Sequence, residues 1–255
     1  LGRKMAEFPI EPMLSKCIIM AEHYKCIDQI ITICAMLNVG NSLFFRPKVR
    51  ELHSDNTKQN FYRPGGDHLC ILNIFNQWKD TAFSAQWCFE HYLQVRAMRR
   101  ARDVKEQLIQ LCERVEIDAN DLSLSTYCNS FNLISADEYG TNIRKCITTG
   151  FFFNAAKYQR NSVYKTVKTS QSVLVITILI QIHPHSFAFK DQPEWLVYHE
   201  LVFTTKEYMR NVINISSEWL LEIAPHYYKE SDIEEHKTKY KDNVDDQENV
   251  RINED

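Results

Sequence analysis

The stretch Val173–Ile182 reads VLVITILIQI and contains the longest apolar run of the chain. Its valine and isoleucine side chains branch at Cβ, which favours the pleated backbone of a buried β-strand. A helix that spans a membrane needs about 20 apolar residues, far more than this run provides. We therefore predict a strand here and no membrane partner.

Further strand signals surround this stretch in the part of the chain that follows Asp121. Short runs of β-branched and aromatic residues alternate there with turn-forming residues, and each run predicts a strand. The predicted strands are Lys145–Phe153, Val163–Lys168, Val173–Ile182 and Trp195–Thr205. A five-stranded barrel of the OB type fits the size of this half. The segment Arg210–Ile223 predicts a last short helix or an extended amphipathic segment.

The part of the chain before Asp121 has the spacing of helices instead. Apolar residues recur every three or four positions in residues 14–39, 67–79 and 84–115, which predicts three helical regions. Asp67 and Ser84 are suited to cap the second and third regions at their N-termini. The fold class is therefore α+β, with a helical bundle followed by a small OB-type β-barrel.

The last residues differ in composition from both halves. From Lys229 onward the chain carries ten acidic and five basic residues, few apolar ones, and a net charge of −5. A segment that buries little apolar surface cannot offset the entropy lost on folding, so we expect residues 229–255 to form a disordered acidic tail. The first residue is Leu1 rather than methionine, and we interpret the chain as a fragment of a longer protein.

Composition and cysteine spacing indicate a folded globular protein with reduced thiols. The 255 residues are 44% hydrophobic and 25% charged, which is typical of folded globular proteins. Only 6 glycines and 7 prolines argue against a turn-dense all-β chain. The eight cysteines form no CxxC pair, so we expect buried reduced thiols and no zinc site. They are Cys17, Cys26, Cys34, Cys70, Cys88, Cys112, Cys128 and Cys146.

Sequence motifs for catalysis are not found. The chain has no GxxxxGK(S/T) phosphate loop, no GxGxxG and no GxSxG, so we assign it no catalytic residue, cofactor or metal. The segment Arg63–Asp67, RPGGD, could bend around a phosphate. A loop leading into a helix is the favoured interpretation, because Asp67 would repel an anion. His183-Pro184-His185 favours a turn after a strand over a metal site, because no acidic residue lies nearby.

Charge is distributed unevenly in the strand-rich half. Residues 141–190 carry seven lysines and arginines and no acidic residue, whereas the whole chain has a net charge of −3. Aromatic residues interleave with these cations, a pattern that favours single-stranded nucleic acid, since cations bind phosphates and rings stack on bases. A solvated strand face over a phenylalanine core is the alternative.

The predicted RNA ligands here are Lys145, Asn154, Lys157, Tyr158, Tyr164 and Lys165. The lysines would bind phosphates, the tyrosines would stack on bases or pack on ribose, and Asn154 would donate a hydrogen bond.

A second basic group lies in the third helical region. Gln94–Arg102 reads QVRAMRRAR, and Arg96, Arg99 and Arg100 are spaced by three and four residues, so they share one helix face. We predict these three arginines to be phosphate ligands. Arg102 points elsewhere and is expected to pair with Glu106. The alternative is a structural helix that forms ion pairs with a neighbouring domain.

Several segments together resemble the C-terminal region of DEAH-box RNA helicases, in the order in which that family has them. They are LGRKMAEFPIEPMLSK (Leu1–Lys16), GGDHLCILNIFNQW (Gly65–Trp78), WCFEHYLQVRAMRRARDVKEQL (Trp87–Leu108), IRKCITTGFFFNAA (Ile143–Ala156), IHPHS (Ile182–Ser186) and WLVYHELVFTTKEYMRNV (Trp195–Val212). Glu113–Ile117 and Trp219–Lys229 are most similar to the spliceosomal branch. Within that branch, they favour the type that remodels the activated spliceosome before the first splicing step.

The resemblance implies a layout and a role. Residues 1–11 would end a winged-helix domain, 12–125 would form the helical ratchet domain, 126–228 the OB-fold, and 229–255 the tail. In the family, two RecA-like domains precede these and use ATP and Mg²⁺ to pull single-stranded RNA in the 3′ to 5′ direction. Glycine-patch proteins stimulate that motor. This chain would be the nuclear, RNA-guiding clamp of such a motor on pre-mRNA in the spliceosome, without hydrolysis of its own.

One segment departs from the family pattern. Residues Leu174–Gln181 look like an insertion between the SQSV strand and IHPHS, and we favour a faulty gene model or a retained intron over a real extension of the strand. Sequencing the spliced transcript without finding a shorter form would contradict that. Two other functions stay open: a stand-alone RNA-binding OB-fold adaptor without ATPase activity, and a helical scaffold that binds protein partners through the acidic tail.

Overall fold

A computed structural model describes residues 1–40, 43–117, 136–159, 161–168, 179–204 and 206–233. The helices of its first half are α1 (Gly2–Ala6), α2 (Pro12–Ala21), α3 (Ile27–Asn38), α4 (Glu51–Gln59), α5 (Asp67–Asp80), α6 (Ala85–Glu90), α7 (Val95–Arg114) and α8 (Ala136–Phe151). Short 3₁₀ turns lie at Lys48–Arg50, Phe152–Asn154 and Phe187–Phe189. Helices α2, α3 and α8 pack on one another, and α7 packs on α3.

A closed barrel follows the helices. Its strands are β1 (Ala155–Tyr158), β2 (Tyr164–Thr166), β3 (Leu179–Ile182), β4 (Trp195–Phe203) and β5 (Glu207–Asn214), and a last helix, α9 (Ser217–Ile223), follows. The strands are ordered β1-β2-β3-β5-β4, and β4 pairs back with β1. Strands β3 and β5 are parallel, whereas the other neighbours are antiparallel. This arrangement confirms the predicted α+β fold with an OB-type barrel.

The strand predicted at Lys145–Phe153 is wrong, because these residues form the end of α8 and a 3₁₀ turn. Residues 146–151 are all buried between neighbouring elements. A helix that is buried on every side has the same unbroken apolar run as a buried strand, so periodicity cannot distinguish the two. Packing of α8 against α2 and α3 decides the outcome in favour of the helix.

Three predicted helical segments have different limits in the structure. The region 14–39 is interrupted between α2 and α3, where Lys25 has a φ of 52°. The region 84–115 is divided into α6 and α7, and Tyr92 between them has a φ of 56°. The segment Arg210–Ile223 holds the end of β5 and the whole of α9. Backbone turns of this kind carry no glycine or proline signal, so the apolar spacing alone did not reveal them.

Apolar side chains form two clusters. The larger one extends through the helical half and reaches the side of the barrel that faces the helices. The smaller one fills the barrel and contains Tyr164, Ile180, Ile182, Leu196 and Met209. Ile180 and Ile182 alternate with the half-buried Gln181, as expected of a strand with one face in a barrel. The rest of the predicted strand, and most of the insertion at Leu174–Gln181, lies outside the described residues.

The ordered chain continues beyond the predicted start of the tail. Residues 230–233 are helical, Ile233 is 4% exposed, and the Asp232 carboxylate lies 2.7 Å from the Lys168 amine. Disorder from Lys229 is therefore wrong for residues 229–233, because one isoleucine and one ion pair anchor them. Residues 234–255 lie outside the described part, and the predicted domain limits stay predictions.

The cysteines and helices of the described part agree with two further expectations. Seven cysteines are free and buried, which confirms the expectation of reduced core thiols, and Cys128 falls outside the described residues. No helix in the part of the chain that the structure describes is both long and apolar enough to cross a bilayer.

Candidate nucleic-acid interface

Helix α7 positions the three arginines that the sequence singles out. Its buried face carries Ala97, Met98, Ala101, Leu108 and Cys112, and all of these except Ala97 belong to the main core cluster. Arg96, Arg99 and Arg100 lie on the exposed face, as their spacing predicts. None of the three makes a hydrogen bond or an ion pair with any described residue. We call these residues the arginine stripe.

The arginine stripe has no structural explanation in the helix itself. It occupies the first two turns of α7, where no acidic residue is present and the helix dipole already presents its positive end. In the first turn, where Arg96 lies, a cation is unfavourable by about 0.3–1 kcal/mol. Arg102, two residues beyond Arg100, lies 3.1 Å from Asp103 and 4.0 Å from Glu106, which confirms the predicted pair. An anionic ligand would therefore find three guanidinium groups on one helix face that hold no partner in the described ranges.

Helix α7 is anchored to the core by a second contact. The Lys105 amine lies 2.6 Å from the Asp28 carboxylate of α3 and 5.3 Å from the ring of Phe75 in α5. Burial lowers the pKa of Lys105, and the pairing with Asp28 opposes that shift. The Lys105 side chain therefore contacts both α3 and α5 and helps to hold α7 against them.

Two of the predicted barrel ligands are buried. The Tyr164 ring lies inside the barrel and its hydroxyl donates to the Pro193 carbonyl at 2.9 Å, a placement that does not suit base stacking. Lys157 is 4% exposed, with its amine 3.6 Å from Glu194 and 5.2 Å from the ring of Trp195. A count of charges along the sequence cannot show that the Lys157 amine already lies close to an acidic side chain in the fold.

Two further candidates make structural contacts. Lys145 lies on α8 rather than on the barrel, and its amine is 2.7 Å from the Glu222 carboxylate in α9. The Asn154 amide donates to the carbonyls of Tyr198 and His199 at 3.0 and 3.3 Å, which ties the start of the barrel to β4. To bind RNA, these residues would have to exchange partners that they already hold.

Tyr158 and Lys165 complete the predicted set. Tyr158 is half-buried, and its ring meets that of Tyr164 edge to face at 5.4 Å. Lys165 is half-buried, lies opposite Lys157 across β1 and β2, and has no hydrogen bond or ion pair to a described residue. Two lysines directly opposite repel each other. Of the predicted lysine ligands, Lys165 is therefore the one whose amine holds no partner among the described residues.

Asp67 joins the helical half to the barrel, a role that the sequence did not predict. Its buried carboxylate accepts hydrogen bonds from Ser186 Oγ at 2.7 Å, Phe187 N at 2.7 Å and Val212 N at 2.9 Å. Burial raises the pKa of Asp67, and the three hydrogen bonds and the nearby Lys58 oppose the shift. Gly66, not Asp67, is the N-cap of α5. The only sequence signal was an acidic residue in an otherwise apolar helix start.

The segment Arg63–Asp67 is a loop leading into a helix, as its favoured interpretation predicts. Gly66 pairs with Ile213 of β5, and the Gly65 carbonyl accepts from Asn214 N at 2.9 Å. Gly66 has a φ of +121°, and a Cβ there would lie 2.5 Å from the Val212 carbonyl oxygen. The two glycines therefore allow the loop to lie directly on β5.

A crevice of about 720 Å³ opens where the helices meet the barrel. Its lining includes Lys58, Asp67, His183, His185, His199 and Arg210. His183-Pro184-His185 forms the predicted turn after β3, and His183 Nδ1 accepts from His185 N at 3.1 Å. Among the described residues, no three histidine, cysteine or acidic side chains are grouped as metal ligands. The Lys58 amine donates to the His185 carbonyl and lies 4.8 Å from the ring of Phe187, and burial lowers the pKa of Lys58.

His68, next to Asp67, should make the fold sensitive to acid. Its ring is buried and neither nitrogen meets a hydrogen-bond partner among the described residues. Burial, helped by the nearby His199, lowers the pKa of His68 to about 3. In the unfolded chain this pKa is about 6.5, so the unfolded state binds the extra proton between about pH 6.5 and 3. Stability should fall as the pH drops through that window, by about 2 kcal/mol at about pH 5.

Urea unfolding at about pH 7 and pH 5 measures this effect. In His68→Leu, which cannot titrate, the loss between the two pH values should be smaller than in the wild type by about 2 kcal/mol. His23→Gln, a change at an exposed histidine, should leave the loss as it is. An unchanged loss in His68→Leu would show that His68 is not the acid-sensitive group.

Comparison with known families adds two matches. Residues 11–71 match the helicase associated domain (HA2), ratchet-like, and they include α2, α3, α4 and the first residues of α5. Residues 143–227 match the oligonucleotide/oligosaccharide-binding (OB) fold and include all five strands of the barrel. The first match agrees with the helical half and the second with the barrel. A ratchet-like helicase domain followed by an OB-fold indicates that the chain is the C-terminal region of a helicase of the DEAH/RHA type.

Proposed function

We propose that this chain guides single-stranded RNA as the C-terminal part of an ATP-dependent DEAH-box helicase that acts on pre-mRNA in the spliceosome. The single observation that carries the RNA contact is the arginine stripe, three exposed arginines without a described partner on a rigid helix. The two helicase-associated domains support the parent motor. The splicing step, the nuclear location and a glycine-patch activator rest on the resemblance of the segments quoted above.

The chemistry of the stripe suits a guide rather than a reader of sequence. Each guanidinium can donate two parallel hydrogen bonds to one phosphate, and successive phosphates on a single strand can meet Arg96, Arg99 and Arg100 in turn. Phosphate contacts fix position and carry no base information. ATP and Mg²⁺ would act in the RecA-like domains of the parent helicase. Lys165 would add a phosphate contact from the barrel. The ring of Tyr158 would stack on a base or pack on a ribose.

Replacing Arg99 and Arg100 together by alanine should weaken RNA binding about 10- to 50-fold, because the contact of each arginine with phosphate contributes roughly 1 kcal/mol in total. The effect should be similar for all sequences, and the slope of log Kd against log salt should fall by about 1.5, because fewer counterions are released. Fluorescence anisotropy with labelled oligouridylate and oligoadenylate measures both. Arg114→Ala, at the exposed far end of the same helix, is the matched control. Unchanged affinity and slope in the double variant would refute the stripe as the RNA contact.

The helicase assignment needs a separate test. An antibody raised against residues 229–255 should detect a native protein several times heavier than 30.1 kDa, in which the RecA-like motor precedes this region in one reading frame. A native protein of the fragment's own mass would contradict the helicase assignment and support the stand-alone RNA-binding adaptor.

A further inference from the structure

The acidic charge of the chain is concentrated in its last residues. Residues 242–255, DNVDDQENVRINED, carry six carboxylates and one arginine, a net charge of −5. The eight residues before them contain three lysines and two glutamates and so are not part of this acidic group. We call residues 242–255 the acidic end segment. A guanidinium group can donate hydrogen bonds to the anionic oxygens of these carboxylates, just as it can to the phosphates of single-stranded RNA.

The arginine stripe is the matching surface on the described part of the chain. Among the described helices, α7 alone presents three arginines on one face without a hydrogen-bond or ion-pair partner. The positive end of the α7 dipole adds to their field. The acids closest in sequence, Asp103 and Glu106, already pair with Arg102. The stripe, which has no partner among the described residues, and the acidic end segment are therefore opposite charges on the same molecule.

The length of chain between the two charged groups permits contact. Ile233 is fixed in the core, and residues 234–255 would extend to at most about 75 Å from it. A folded unit of this size is about 45 Å across, so the extended segment is longer than the unit is wide. A tethered ligand of this length is present at an effective concentration on the order of 1 mM. Even a weak interaction between the carboxylates and the stripe would then be substantially occupied.

We propose that the acidic end segment docks on the arginine stripe of α7 and competes with RNA for it. The competition rests on the proposed RNA function, whereas the docking does not. If the segment binds the stripe with a Kd of about 0.2 mM, its tethered form lowers the apparent RNA affinity about fivefold at about 50 mM salt. The attraction is between opposite charges, so the effect should disappear at about 300 mM salt.

RNA affinity of the full chain tests the competition. Changing Asp242, Asp245, Asp246 and Asp255 to Asn, and Glu248 and Glu254 to Gln, should tighten oligouridylate binding about fivefold at about 50 mM salt. The same six changes in the background of Arg96→Ala, Arg99→Ala and Arg100→Ala should produce no gain. An equal gain in both backgrounds would mean that the acidic residues repel RNA at long range, and it would overturn the docking. If the wild type binds RNA and neither background shows a gain, the docking is overturned as well.

A zero-length cross-link tests the docking without RNA. A carbodiimide joins a carboxylate to an amine only when the two are in contact, so Arg99→Lys should yield an intramolecular cross-link to the acidic end segment, identified by mass spectrometry. Arg114→Lys, about 22 Å along the same helix, is the control and should yield little. Equal yields at both positions, or none at position 99, would overturn the proposal. A cross-link in a chain that binds no RNA would retain the docking and reject the proposed function.

Discussion

Replacing Asp67 by alanine is expected to lower the free energy of unfolding by about 3–5 kcal/mol. The change leaves three donors without an acceptor, namely the buried amides of Phe187 and Val212 and the half-buried hydroxyl of Ser186. Each unsatisfied buried donor costs about 1–3 kcal/mol. These donors lie on the turn after β3 and on β5, whereas Asp67 starts α5, so the loss falls on the contact between the helices and the barrel.

Urea unfolding followed by circular dichroism measures the effect of Asp67→Ala. Asp80→Ala is the matched control, because Asp80 is the exposed last residue of the same helix and has no described hydrogen-bond partner. It should change the free energy of unfolding by less than about 0.5 kcal/mol. Asp67→Asn keeps one acceptor oxygen and should lie between the two. Equal stabilities of Asp67→Ala and Asp80→Ala would show that the Asp67 network does not hold the two halves together.

Replacing Gly150 by alanine should destabilise the fold by about 3 kcal/mol or more, although alanine is the better helix former. Gly150 lies where α8 crosses α2, and a Cβ there would meet Met13 O and Cys17 Sγ at 2.5 Å. One of these atoms is a backbone oxygen, so the clash can be relieved only by moving the helices apart. Moving the two helices apart would disrupt the close packing of the main core.

Gly140 on the same helix provides the control for this change. A Cβ at Gly140 would meet only Leu69 Cδ1, at 3.6 Å, which is ordinary contact. Gly140→Ala should therefore stabilise the protein by about 0.5–1 kcal/mol through helix propensity. Thermal unfolding by calorimetry should shift the two variants in opposite directions. A gain in both would mean that α2 and α8 are farther apart than this structure places them.

Both changes affect the platform that carries the arginine stripe. Asp67 connects the helices to the barrel, and the contact of α8 with α2 and α3 supports the surface on which α7 packs. A guide for RNA needs its phosphate ligands at fixed positions relative to each other. We therefore expect a destabilised junction to weaken RNA binding only where the protein unfolds, unlike changes to the arginines themselves.

Short-range patterns in the sequence were enough to predict the order of the halves, the OB-type barrel, the buried thiols and the exposed face of α7. The Arg102–Glu106 pair is one turn of helix apart, so its spacing alone predicts it. The alternation of Ile180 and Ile182 follows from the geometry of a strand in the same way. Such features depend only on residues that lie within about one helical turn, or two strand positions, of each other, and this spacing can be read from the sequence.

The tertiary structure alone decided which of the predicted ligands are still available. Lys145 pairs with Glu222, 77 residues away, and Asp67 binds the amide of Val212, 145 residues away. It also decided that residues 145–151 are a helix, because burial on every side removes the periodicity that separates helix from strand. Partners so far apart in sequence are brought together only by packing of the whole chain. Local spacing therefore predicts where a charge points, and the folded neighbours determine whether that charge is free to bind RNA.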